Sequence, residues 1–195
     1  MQSSERPLPT LLLGDVLWTR RDQVAFEHYR VTELPDFFAI QGCVLTTLED
    51  RPYRVDYVVQ CDPDWKTRAV HVQTNHGQTA RRLELERDDS SRWTRDGERM
   101  PEFDGLLDID LAITPSTNLL PIRRLDLGIG AGAAVEAVWI QFPDFEAERL
   151  PQSYRRTGDG TYRYESGGGG FAAELEVDDQ GIVTRYGDLW DRVTP

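Results

Sequence analysis

Residues 104–125 read DGLLDIDLAITPSTNLLPIRRL, and this stretch holds the two patterns that decide the fold. In its first half, apolar and mostly polar residues alternate, and this period of two predicts a β-strand with one apolar and one polar face. The second half, Pro115–Arg124, breaks the alternation and is either a loop or a short helix. The alternating apolar positions are Leu107, Ile109, Leu111 and Ile113, against Asp108, Asp110 and Ala112.

The same alternation recurs along the chain, with turn signals between the segments. It predicts a mainly β fold, an antiparallel meander of about ten strands, and it disfavours a parallel α/β sheet. Val135–Phe142 is apolar on both faces and is predicted to be a fully buried strand. The alternating segments are Tyr53–Val59, Arg82–Glu86, Leu107–Ile113 and Phe171–Val177, and the turns are at Asp62-Pro63, His76-Gly77, Asp96-Gly97, Asp159-Gly160 and Gln180-Gly181.

Length and charge limit the organisation and the partners. The 195 residues predict a single β domain over residues 11–195, preceded by a loose leader at residues 1–10. The net charge of −12 argues against a nucleic-acid partner, because an acidic surface repels phosphate backbones. No signal peptide and no apolar run of about 18 residues is visible, so no transmembrane segment is predicted and the cytoplasm is the expected compartment. The oligomeric state stays open.

Several familiar chemistries lack their sequence patterns. Cys43 and Cys61 lack metal-ligand spacing and are expected to be buried reduced thiols, and the three histidines form no zinc motif. No Gly-x-Ser-x-Gly elbow is present. The sequence GIGAGA at residues 128–133 matches a loose dinucleotide pattern, but a glycine-rich hairpin turn explains it better. No metal and no cofactor is therefore predicted.

The first candidate site is a group of three carboxylates, Asp104, Asp108 and Asp110. Asp108 and Asp110 share one face of the predicted strand, about 7 Å apart. Such a pair can bind a hard cation, share a proton or bind sugar hydroxyls. A strand whose polar face is solvated or paired with arginine explains the pattern equally well.

The second candidate site lies in TPSTNLLPIRRL, residues 114–125. Arg123 and Arg124 follow a proline-bounded turn and could bind carboxylates, Asp108 and Asp110 being the obvious partners. Asn118 could cap a short helix or hold a turn. In the polar turn of residues 61–68, CDPDWKTR, we single out Trp65 as the tryptophan most suited to a ligand, with Arg68 beside it.

At residues 104–125 the chain resembles the signature of a bacterial family described as binding glycolipids. The resemblance implies a strongly curved antiparallel sheet, a half-barrel or open barrel with a hydrophobic concave side and little helix, similar to carriers of bacterial lipoproteins. Those carriers work outside the cytoplasm, whereas this chain shows no export signal. The resemblance extends over most of the chain through Trp18, Glu27, Cys61–Arg68, Trp93, Asp96-Gly97, Phe142-Pro143, Phe171–Val177, Asp178–Gly181 and Leu189, while Leu106 stands where many relatives are expected to have cysteine.

Three functional hypotheses follow. The favoured one is a non-catalytic protein that binds a glycolipid or similar amphipathic small molecule in a concave β cavity, with polar residues at the headgroup. The rival is an enzyme that uses Asp108 and Asp110 with Arg123 or Arg124 on a sugar or phosphorylated metabolite. The third is a structural domain in which the motif only joins strands. The predicted ligand-binding residues are Trp65, Arg68, Asp108, Asp110, Asn118, Arg123 and Arg124.

Overall fold

The computed structural model describes residues 10–194, so the predicted leader at residues 1–10 lies outside the described residues except for Thr10. The fold is mainly β, as predicted, with 59% strand and 9% helix. The strands are β1 (Leu11–Arg20), β2 (Ala25–Glu33), β3 (Phe38–Leu48), β4 (Arg51–Cys61), β5 (Thr67–His76), β6 (Thr79–Arg87), β7 (Trp93–Arg95), β8 (Glu98–Arg99), β9 (Asp108–Leu111), β10 (Gly132–Ile140), β11 (Ala147–Gly158), β12 (Thr161–Ser166), β13 (Phe171–Val177), β14 (Val183–Tyr186) and β15 (Trp190–Arg192).

All of these strands belong to one curved sheet that does not close into a barrel. Their order across the sheet is β8-β7-β6-β5-β4-β3-β2-β1-β15-β14-β13-β12-β11-β10-β9. Neighbouring strands are antiparallel except β9 and β10, which are parallel. The predicted number of about ten strands is too low, since the described residues form fifteen. Strands of two or three residues, such as β7, β8 and β15, are too short to show a period of two.

Three of the four alternating segments are strands throughout, whereas Leu107–Ile113 is a strand only over Asp108–Leu111, where Asp108 on the predicted polar face is buried. Tyr53–Val59 lies within β4, Arg82–Glu86 lies within β6, and Phe171–Val177 coincides with β13. Buried and exposed residues alternate along these strands, which defines an inner face whose side chains are buried. Both cysteines are free thiols in strands, and Cys61 is buried as expected, whereas Cys43 is only half-buried.

The two ends of the open sheet are brought together by direct contacts. The backbone N–H of Thr67, at the start of β5, donates to the carbonyl of Leu107 at 2.9 Å. Arg95 of β7 donates to the carbonyl of Phe145, in the β10–β11 connection, at 2.8 Å. The main hydrophobic core is therefore enclosed on both sides although the strands themselves do not close.

The segment after β9 turns back into the inner face of the sheet. Ser116–Asn118 form a 3-10 helix, and α1 follows at Leu119–Leu125, so the segment predicted to be a loop or a short helix is a short helix. Leu119 and Leu120 are buried in the main core, and Ile122 packs in a second cluster with tyrosines of β11 and β12. The segment 112–126, named here the inner segment, therefore fills the concave side. No helix among residues 10–194 has the length and apolar run needed to span a membrane.

Two further predictions from the sequence are wrong in part. The GIGAGA sequence forms a turn, with Ala131 N donating to the carbonyl of Gly128 at 2.9 Å, but it joins α1 to β10 and is not a hairpin between strands. Val135–Phe142 is not a fully buried strand, because β10 ends at Ile140 and Val135, Glu136 and Trp139 are only half-buried.

Gly42 shows how tightly the inner face is packed. The ring of Tyr57, on the neighbouring strand β4, lies directly over Gly42 and occupies the place that a Cβ atom would need. The Tyr57 ring is buried and its hydroxyl is bound to Glu27, so a shift of the ring would disturb this packing. A side chain at position 42 would therefore displace Tyr57 from the inner face.

We expect Gly42→Ala to lower the free energy of unfolding by about 2 kcal/mol, the usual range for an added methyl group in a packed core. Urea denaturation measures the change. Gly128→Ala is the matched control, because a Cβ at position 128 meets nothing within 4 Å. Equal stability of the two variants would contradict the packing described for Tyr57.

Candidate ligand-binding cavity at the end of helix α1

A buried carboxyl group attaches the inner segment to the sheet. Glu27 lies on the inner face of β2 and is fully buried. The Tyr57 hydroxyl donates to its Oε1 at 2.5 Å, and the Thr114 hydroxyl donates to its Oε2 at 2.6 Å. Thr114 in turn accepts the backbone N–H of Ser116 at 3.0 Å, which starts the 3-10 helix. Burial raises the pKa of Glu27 to about 8, although the two hydroxyl donors oppose the shift.

The turn between β4 and β5 positions Trp65. The Oδ1 atom of Asp62 accepts the backbone N–H groups of Asp64 and Lys66, both at 3.0 Å. Trp65 N donates to the carbonyl of Asp62 at 2.9 Å, and Trp65 lies in the left-handed region with φ +63°. A bulky residue in this region carries backbone strain, and such strain is more frequent at functional sites.

Both faces of the Trp65 indole are occupied. The ring of Phe38 stacks on it with a centroid distance of 4.0 Å. The guanidinium of Arg123 lies over the indole with its Cζ atom 5.0 Å from the ring centroid, a cation–π contact. Trp65 therefore holds Arg123 in place, and it is not free to stack on a sugar ring.

Arg123 projects from the last turn of α1 into a cavity of about 650 Å³, named here the Arg123 cavity. In the part of the chain that the structure describes, its guanidinium has no hydrogen bond and no carboxylate partner. The cavity lies where the end of α1 meets the β4–β5, β11–β12 and β13–β14 turns. Its lining consists of Trp65, Ile122, Arg123, Asp126, Arg156, Asp159, Gly160, Tyr162, Val177, Asp178, Asp179 and Gly181.

The charged side chains of this cavity differ in how many hydrogen bonds and ion pairs they make within the protein. Arg156 donates all of its hydrogen bonds to backbone carbonyls, at 3.0 Å to Leu127, 3.1 Å to Gly158 and 2.6 Å to Asp159. Asp178 accepts two backbone N–H groups of its own turn and pairs with Arg192. Among residues 10–194, three other carboxylates of the lining make no ion pair and no hydrogen bond: Asp126, Asp159 and Asp179.

Comparison with known proteins places the chain in a family. A family model described as "Putative glycolipid-binding" matches residues 15–192. The chain belongs to this family. It is also similar to a solved structure, the crystal structure of a DUF1089 family protein from Pseudomonas aeruginosa, with 35% sequence identity and a TM-score of 0.79. That match covers 87% of this chain and 92% of the other. No curated protein matches the chain.

The seven residues predicted from the sequence fall into separate places. Trp65 and Arg123 line the Arg123 cavity together. Arg68 lies outside that lining, where its Nε is 3.5 Å from Asp62 Oδ2 and it also pairs with Asp89. Arg68 therefore supports the turn that carries Trp65.

The other four predicted residues lie on the opposite side of α1. The Arg124 guanidinium binds both oxygens of Asp108, and the Asp108 side chain is only 2% exposed. Burial raises the pKa of Asp108, and Arg124 opposes this shift. The predicted pairing of Asp108 with an arginine is thus present in the structure.

Asp110 and Asn118 are held by strand β11. Gln152 donates to Asp110 Oδ2 at 2.5 Å, and burial raises the pKa of Asp110 to about 6. The Tyr154 hydroxyl donates to the Asn118 side-chain oxygen at 2.9 Å. Asn118 also donates to the carbonyl of Pro115 at 2.9 Å, so it holds the turn as predicted from its residue type. These contacts fix the inner segment against the second half of the sheet.

The sequence reasoning assigned no role to Glu27, Arg156 or Tyr162. A signal for Glu27 does exist: it takes an inner-face position of β2, between the buried residues Ala25 and Tyr29, where an apolar residue is expected. Arg156 and Tyr162 stand in ordinary alternating strands, and only the turn between β11 and β12 brings them to the cavity.

The buried Glu27 makes stability depend on pH. Its folded pKa of about 8 lies above the ordinary value of 4.5, so the unfolded chain loses this proton first as the pH rises. The stabilising contribution is complete below pH 4.5 and is lost between there and pH 8, at up to about 1.4 kcal/mol per pH unit. We expect Glu27→Gln to remove this slope in urea denaturation from pH 6 to pH 8, above the pKa of about 6 of Asp110. The exposed Glu86→Gln is the control, and an unchanged slope in Glu27→Gln would count against a neutral Glu27.

Removal of Arg124 tests the buried pair. We expect Arg124→Gln to lower the free energy of unfolding by about 3 kcal/mol, because it leaves the Asp108 carboxylate buried without its cation. The double variant Asp108→Asn/Arg124→Gln should recover part of this loss, whereas Arg51→Gln, at an exposed arginine, should change little. The pairing account fails if Arg124→Gln is as stable as Arg51→Gln.

Proposed function

We propose that the chain is a non-catalytic binding protein for an amphipathic small molecule and that the Arg123 cavity takes the sugar headgroup. The family description supports a glycolipid as the ligand class. The cavity volume of about 650 Å³ lies in the range of small-molecule sites and suits one or two sugar rings.

The polar lining supports a sugar headgroup by its balance of donors and acceptors. A sugar hydroxyl both donates and accepts hydrogen bonds, so it needs partners of both kinds. Arg123 offers guanidinium donors, and the three unpaired carboxylates, Asp126, Asp159 and Asp179, offer acceptors. A phosphate would meet Arg123 favourably but would be repelled by those carboxylates.

The observation that carries the proposal is the state of Arg123. Arg123 is a half-buried residue whose guanidinium lies over the Trp65 ring and has no hydrogen-bond partner among the described residues. A ligand that accepts hydrogen bonds from this guanidinium gains charge-assisted contacts and displaces no protein partner. Gly181 allows this placement, because a Cβ there would lie 3.3 Å from the Cδ atom of Arg123.

The two aspartates of the rival hypothesis each have a protein partner. Asp108 is bound by Arg124, and Asp110 accepts from Gln152. As these contacts give both carboxylates a role within the protein, we do not extend the proposal to catalysis.

Native mass spectrometry of protein purified without detergent tests the proposal. We expect an adduct of an amphipathic glycoside, retained in Arg155→Gln and lost or reduced at least tenfold in Arg123→Gln, as expected for the loss of a charged hydrogen bond. Arg155 is exposed and outside the cavity lining, which makes it a matched control. The absence of an adduct in the wild type, with no response of the Trp65 indole NMR signal to alkyl glycosides, would overturn the proposal.

A further inference from the structure

A second hollow lies on the other side of the end of α1. Arg123 and Arg124 are consecutive, and consecutive residues of a helix point about 100° apart. Arg123 therefore enters the cavity described above, while Arg124 enters a groove of about 540 Å³, named here the Arg124 groove. Its lining consists of Asp104, Gly105, Leu106, Leu107, Asp108, Arg124, Ala134, Val135, Glu136, Arg149, Pro151 and Gln152.

The charged side chains of the groove are satisfied by one another or by neighbours. Arg124 binds Asp108, and Arg149 donates to Glu136 at 2.8 Å. Asp104 of the lining pairs with Arg99 at 2.7 Å. A polar ligand would have to displace one of these partners, whereas an apolar ligand leaves all of them in place.

The remaining walls of the groove are apolar and partly open to solvent. Leu107 and Val135 are half-buried, and Ala134 and Pro151 are exposed. An alkyl chain placed on these four residues would remove their apolar side chains from water and leave the ion pairs of the groove in place.

The groove and the cavity both adjoin the end of α1, and apolar residues pack there. The chain leaves α1 at Asp126, which lines the cavity, and reaches Ala134 and Val135, which line the groove. Leu125 and Leu127, both half-buried, pack with Val135 against the cluster around Ile122. A molecule that crosses the last turn of α1 therefore meets polar groups on one side and apolar groups on the other.

We propose that the Arg124 groove binds the alkyl tail of the same ligand whose sugar occupies the Arg123 cavity. This inference rests on the proposed function and adds the position of the tail. It makes the ligand class a glycoside whose aliphatic chain begins within a short distance of the sugar. The pair of consecutive arginines then marks the division between headgroup and tail.

The affinity should depend on the length of the tail. Each methylene buried in the groove strengthens binding about fourfold until the groove is filled. The probes are methyl, butyl, hexyl and octyl β-D-glucopyranosides, each below its critical micelle concentration. The NMR signal of the Trp65 indole N–H reports the cavity, and the methyl signals of Leu107 and Val135 report the groove.

Two variants place a charge in the groove, Ala134→Asp and Pro151→Asp, at exposed strand positions that tolerate a polar residue. Ala172→Asp, at an exposed alanine of β13 outside the groove, is the matched control. We expect the gain in affinity with chain length in the wild type and in Ala172→Asp, and its loss in both groove variants. The response of Trp65 to methyl glucoside should be the same in all four proteins.

The possible results separate the two proposals. If Trp65 responds but affinity does not grow with chain length, or grows equally in the groove variants, the tail site is wrong and the headgroup site stands. If the groove methyls respond without Trp65, the tail site stands and the proposed headgroup site fails. If neither responds to octyl glucoside, octyl galactoside or octyl rhamnoside, both proposals fail.

Discussion

The hydrogen bonds of the buried Glu27 carboxyl to Tyr57 and Thr114 are the interaction on which the rest of the structure depends. A charged carboxylate at this depth would be costly, so burial raises the pKa of Glu27 to about 8, and the neutral acid donates its own proton to one of the two hydroxyl oxygens while it accepts from the other. Through Thr114 it starts the helical turns of the inner segment and ties them to β2 and β4. Leu119 and Leu120 can then complete the main core, which an open sheet could not enclose by itself.

The position of the inner segment determines the two hollows at its end. Once α1 lies against the sheet, its last turn meets the Trp65 turn on one side and strand β9 on the other. Arg123 stacks on Trp65, and Arg124 binds Asp108. The concave side is thus occupied by the inner segment. The Arg123 cavity lies at the end of α1 and not along the concave side of the sheet. A headgroup can therefore bind at this site without displacing side chains of the hydrophobic core.

The sequence predicted the fold class because strict alternation directly reflects one buried and one exposed face, as in β4 and β13. The sequence underestimated the number of strands, because β7, β8 and β15 are too short to show a period of two. It left the inner segment open between loop and helix, since residues 113–122 are all buried and show no helical periodicity.

The candidate site was predicted in part. The pairing of an arginine with Asp108 followed from residue type. The sequence could not assign different roles to Arg123 and Arg124, because only the geometry of the helix directs them to different hollows. The role of Glu27 depends on contacts with Tyr57 and Thr114, 30 and 87 residues away along the chain. Contacts at such separations are outside the reach of local patterns.

The central claim is that a neutral Glu27 holds the inner segment in the sheet and so places Arg123. Titration of the Glu27 side-chain carboxyl by carbon-detected NMR tests this most directly, because it reports the protonation of that one group in the folded protein. The account predicts a midpoint near pH 8, with the acid neutral at pH 7. A midpoint near the ordinary value of 4.5 would mean that a charged Glu27 is tolerated there, and would contradict the account.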